Sequence, residues 1–166
     1  MNKIPELIEW RGHAWLCLPA RLYLGWVFIY ACLHKIAHPG VFALDIATYN
    51  MLPLSLINLM AIILPYLELV AGAMLIVGFR VKAGALLVSA MMVIFVIAVS
   101  YALYQGLDTS CGCFASQAME DDPIGAHTIL RDVGWLLLGL YVMFFDRRPL
   151  GVDRLFAPRE RSAADA

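Results

Sequence analysis

Charge is what this 166-residue chain has least of: 15% of its residues are Asp, Glu, Lys or Arg, whereas soluble domains carry roughly a quarter. With 62% hydrophobic residues, so few charges cannot solvate a globular surface, and lipid is the expected environment. Nucleic acid is not an expected partner. Cysteine is also scarce. Four residues are too few for the disulfide framework of a small secreted domain, and they fall into two kinds: Cys17 and Cys32 in an apolar stretch, Cys111 and Cys113 one residue apart. The first apolar segment follows a head containing Glu6 and Glu9, with no small-residue cleavage site after it, so it is expected to be retained rather than removed as a signal. Turn chemistry is too sparse for barrel strands, which leaves helices as the way to satisfy backbone groups in lipid.

What is present is long apolar runs. Arg21 is the only charge between Leu16 and Leu33, Glu68 the only one between Met51 and Phe79, and Ala83 to Leu107 has none. Each approaches or exceeds the roughly 20 residues that cross hydrocarbon. Val133 to Phe145 reaches that length only if the turns carrying His127, Arg131 and Asp132 belong to the same helix. The expectation is an all-α integral membrane protein, a four-transmembrane-helix bundle with spans at about 16–34, 52–79, 83–106 and 127–146. Together these make a membrane domain over 1–146, and 147–166 form a basic tail with little fold of its own. Pro19 suits a first helical turn, and Pro65 should kink the second span. Gly72, Gly84, Gly134 and Gly139 offer points of close helix approach.

Orientation follows from Lys and Arg, which cytoplasmic segments retain. Lys3, Arg11 and Arg21 at the head, Arg80 and Lys82 between the second and third spans, and five arginines from Arg147 to Arg161 share one side of a four-span arrangement. The first connection has Lys35, and Asp108 to His127 has no Lys or Arg. Both termini are therefore expected in the cytoplasm, and Cys111 and Cys113 on a periplasmic loop over 107–126 of a bacterial inner-membrane protein.

That compartment is oxidising. Two thiols flanking Gly112 can close a very small disulfide ring, for which glycine supplies the unusual backbone angles. Strain makes such a disulfide more oxidising than a structural one, so redox exchange is favoured. The metal alternative is a two-thiolate site completed by His127 or by cysteine from another protein, although zinc ligands are usually spaced more widely. Cys32, near the outer end of the first span, is a candidate third thiol that could resolve or relay a disulfide; a buried packing role is at least as common for such a residue. Cys17 lies too far away to join. His34 and His38 are four apart and could tune a thiolate or bind metal, but such a pair more often marks the membrane interface. His127 is the better candidate to assist thiol deprotonation.

Ionisable groups inside a membrane are costly and so are candidate functional residues. Arg21 and Glu68 are expected either to form an ion pair locking two helices or, in the sharper reading, to leave Glu68 as a proton relay for a quinone. Arg131 and Asp132 adjoin the outer interface, where they could orient the loop or hold an anionic headgroup. Glu68 and Arg131 are the candidate quinone residues; Arg21, Glu68, Pro65 and Asp132 are the candidate structural ones.

The runs Arg21-Leu22-Tyr23-Leu24-Gly25, Leu33-His34-Lys35-Ile36, Leu64-Pro65-Tyr66-Leu67-Glu68-Leu69, Cys111-Gly112-Cys113-Phe114 and Leu130-Arg131-Asp132 occur in one order, and in that order the chain resembles the methylamine utilisation protein family MauE. The resemblance covers roughly residues 20–140. It implies a small four-helix membrane protein of the redox-associated DoxX-like group, working beside a thioredoxin-like partner in disulfide formation. It also implies that Cys111 and Cys113 are the exchanging thiols. Ala115 stands where the family often has Gly, and Cys32 where it has a small residue.

The leading expectation is thus a membrane thiol–disulfide oxidoreductase acting on a periplasmic thioredoxin-like or other thiol protein, with electrons passing to a quinone. Two alternatives stay open. One is uptake of a thiophilic metal through Cys111, Cys113 and Cys32; the other is a non-catalytic scaffold for a partner enzyme.

Overall fold

The computed structural model describes residues 13–106, 126–146 and 151–152, and no strand occurs among them. Five helices follow in order: α1 His13–Ala37, α2 Pro39–Thr48, α3 Leu54–Val77, α4 Val81–Tyr104 and α5 Ala126–Phe145. Four of them are long and apolar enough to cross a membrane, over Trp15–Ala37, Leu54–Val77, Val81–Tyr104 and His127–Phe145. At 1.5 Å per residue a 24-residue helix is about 36 Å long, against roughly 30 Å of hydrocarbon. The protein is a multi-pass, all-α membrane protein.

The four long helices run up and down. The start of α1, the α3–α4 turn and the end of α5 lie at one end, called proximal here; residues 38–53, the end of α4 and the start of α5 belong to the other, distal end. Each helix turns one stripe inward. On α1 that stripe is Cys17, Arg21, Leu24, Phe28, Cys32 and Lys35, all buried; on α3 it is Ile57, Ala61, Pro65, Glu68, Gly72 and Leu75. Steps of three and four residues keep each set on one face. Large apolar side chains such as Leu54, Ile94, Leu130 and Leu137 point outward and are well exposed, as suits a surface solvated by lipid tails.

Alpha1 and α3 cross at a glycine pair. A Cβ added at Gly72 would stand 2.9 Å from the Gly25 carbonyl oxygen, and one at Gly25 would stand 2.8 Å from that of Gly72. Only hydrogen fits between these backbones. Gly78, at φ 73°, closes α3, and the amides of Gly78 and Phe79 both donate to the Met74 carbonyl, at 3.0 and 3.1 Å. Arg80, also left-handed at φ 44°, then starts α4. The tail returns to this turn: Val152 N donates to the Val77 carbonyl at 3.3 Å, beside Gly151 on Gly78.

One local expectation changes. Pro19 lies within α1, because that helix begins at His13 rather than near residue 16. Pro65 lies inside the second span, α3, which runs from Leu54 to Val77. Pro39 follows closely on the end of α1. It occupies the first turn of α2, where a missing N–H costs nothing, and α2 buries Phe42 against the bundle.

Candidate functional site

The core is interrupted. A proximal cluster includes Leu24, Phe28, Leu75, Val88 and Met91, and a smaller distal cluster joins Tyr49, Val99 and Ala102 to Phe95 and Ile129. Between them lies a cavity of about 530 Å³, lined by residues of both clusters. All five helices contribute to its lining. Of these, α3 and α4 are tied by a short turn and meet closely at Gly84, where a Cβ would lie 3.1 Å from Met74 Cβ. Farther out, Ile63, Leu64 and Leu67 of α3 and Ile94, Phe95 and Ala98 of α4 line the space left between the helices.

The wall is apolar except for Lys35, Asp45, Tyr49, Glu68, Asp132 and Trp135. Lys35 Nζ donates to both Glu68 oxygens, at 2.8 and 2.9 Å, and the pair is about nine-tenths buried. The ammonium also lies 5.0 Å from the centre of the Phe42 ring, a cation–π contact that partly replaces water. Asp132 is fully buried. Its Oδ1 accepts from Arg131 Nε at 3.2 Å, while Oδ2 has no partner among the described residues. Arg131 in turn stacks its guanidinium 4.9 Å from the Trp135 ring, and Trp135 Nε1 donates to Tyr23 Oη at 3.3 Å. Outside the spans, burial pushes the Asp45 carboxyl up from its ordinary value, opposed by the positive charges of His34 and Lys35.

The partner expected for Glu68 was Arg21, and that pairing does not form. Arg21 instead meets Asp146, with Nη1 3.6 Å from Oδ2, both buried at the proximal end. Helical side chains lean toward their own N-terminus. Arg21 therefore leans toward the proximal end and Glu68, on the antiparallel α3, toward the distal end, so the two diverge. Lys35 leans back toward Glu68, and these two converge.

Cys32 is fully buried in α1, and its thiol donates to the Ile29 carbonyl at 3.1 Å. Cys17 is buried beside Tyr141, Arg21 and Asp146. His34 and His38 bring their rings to 4.9 Å; His127 is exposed in the first turn of α5. Cys111 and Cys113 lie outside the described residues, so the structure carries no geometry for the loop thiols. Among the described residues no three His, Cys, Asp or Glu side chains gather as a metal site; the metal alternative depends on the two loop cysteines. Sequence reasoning missed Lys35, Asp45 and Trp135. For Lys35 a signal existed, since it continues the inward stripe three residues beyond Cys32.

Residues 13–145 match the family described as methylamine utilisation protein MauE. The chain belongs to the MauE family. No curated protein and no solved structure matches it. The match covers all four spans and every cavity-lining residue, so the buried Lys35–Glu68 pair and Asp132 sit within the family's own domain. Membership makes this a membrane protein of a family tied to methylamine utilisation.

Proposed function

We propose that this MauE-family protein is a thiol–disulfide redox protein of the bacterial inner membrane, with Cys111 and Cys113 as the exchanging pair and a quinone as electron acceptor. The observation that carries this is positional. The cavity with its ionisable wall lies in the distal half of the bundle, and the connection bearing Cys111-Gly112-Cys113 leaves from that same end, between Tyr104 and Ala126. The scarcity of Lys and Arg in that connection supports a periplasmic position for it.

In the proposed cycle a partner dithiol of thioredoxin-like type attacks the Cys111–Cys113 disulfide. A mixed disulfide forms and resolves, leaving the partner oxidised and both loop thiols reduced. The loop dithiol then gives two electrons and two protons to the quinone, re-forming its S–S bond and yielding quinol. Cys32 is better suited to packing than to relay in this scheme, since its thiol is enclosed and already donates to its own helix.

Alkylation trapping in membranes tests the reading. Cys111 and Cys113 should shift between modified and protected states with oxidant and reductant, and Cys113→Ala should accumulate a mixed disulfide through Cys111. Loop thiols that hold one state under both conditions, with no mixed disulfide, would rule it out.

A further inference from the structure

We propose that the cavity between α3 and α4 is a quinone site entered sideways from the bilayer, with Asp132 accepting the ring hydroxyl of the reduced form. The choice of a quinone rests on the redox reading above, while the site itself rests on geometry. At about 530 Å³ the space falls within the roughly 300–1,000 Å³ that encloses a small organic ligand. Phe28, Leu64, Met91, Phe95 and Ala98 give it an apolar body.

The mouth faces lipid. Ile63, Leu67, Ile94 and Ile97 line the cavity and yet are 43%, 39%, 69% and 58% exposed. They lie well inside the spans Leu54–Val77 and Val81–Tyr104. A ligand passing between them comes from hydrocarbon, so it is itself lipophilic.

The polar end then selects among lipophiles. A buried carboxylate oxygen without a donor is costly; Asp132 lines the cavity, and its buried Oδ2 has no hydrogen-bond partner among the described residues. An acyl chain offers it nothing, whereas a quinol hydroxyl donates to it. Lys35, an ammonium on the same wall, suits the carbonyl oxygen of the oxidised ring. A ring whose oxygens change from acceptor to donor on taking up two electrons and two protons matches a wall that offers both a donor, Lys35, and an acceptor, Asp132. The electrons and protons come from the loop dithiol as its disulfide forms.

The test uses the full chain in lipid nanodiscs and an azido-substituted benzoquinone with a short isoprenoid tail. Photolabelling is expected on cavity residues such as Leu64 and Phe95, suppressed by excess unlabelled benzoquinone and lost in Ala98→Trp, which fills the space. Labels spread over outward residues such as Leu130 and Leu137, insensitive to competitor, would overturn the site. Asp132→Asn should weaken binding of the quinol about tenfold, the loss on replacing a charged acceptor by a neutral one, with quinone binding little changed. An equal loss of both forms would overturn the role of Asp132. Labelling should persist in the Cys111→Ser/Cys113→Ser chain. Competed labelling with inert loop thiols would remove the redox reading alone, and cycling thiols with uncompeted labelling would remove the site alone.

Discussion

Lys35 and Glu68 face one another inside a helix bundle, where neither charge has bulk water to fall back on. Removing one partner of such a pair leaves the other uncompensated, at a cost of about 3–5 kcal/mol. Lys35→Met is therefore expected to lower stability by that order, and Lys35→Met combined with Glu68→Leu to recover much of the loss. Unfolding in detergent across the double-mutant cycle checks both. That Glu68 matters was legible in the sequence, because a lone carboxylate in an apolar span demands a partner. Which partner was not legible. Arg21 and Lys35 both lie on the inward stripe of α1, and only the antiparallel sense of α3 and the lean of helical side chains decide between them.

Helix contacts divide the glycines. A side chain at Gly72 would collide with the Gly25 carbonyl and the Ile29 side chain, each at 2.9 Å, whereas a Cβ at Gly134 would meet nothing within 4 Å. Gly72→Leu should therefore push α1 and α3 apart, with a loss of about 1–3 kcal/mol or more from overpacking. Gly134→Ala should be neutral or stabilising by up to about 1 kcal/mol, the gain in helix propensity. Thermal unfolding of the two purified variants separates them. Gly72, Gly84 and Gly139 were recognisable as approach points, but Gly134 looks the same in sequence and faces open space. Alpha2 escaped recognition because His38, Pro39, Gly40 and Asp45 read as connection chemistry. Its ten residues are held by Phe42 packing into the bundle, which local pattern does not disclose.

Across the whole molecule, thiol accessibility reports both topology and fold. After treatment with a reductant that opens the loop disulfide, a membrane-impermeant maleimide added from outside is expected to modify Cys111 and Cys113 in intact cells. Cys17 and Cys32, 1% and 0% exposed, should stay unmodified from either side until the bundle is denatured. Labelling of the loop only after the membrane is opened would reverse the orientation. The four spans followed from the sequence alone, since a run of apolar residues long enough to cross hydrocarbon has few other stable states. The family was also legible there, in the order of its short motifs. The cavity was not, nor was the set of residues at its polar end. Lys35, Asp45, Glu68 and Asp132 come from four different helices. They line one cavity because lipid turns the charges of each helix inward. Hydropathy along the chain determines that a helix crosses the membrane; the packing of helices against one another determines where the gap between them lies and which side chains face it.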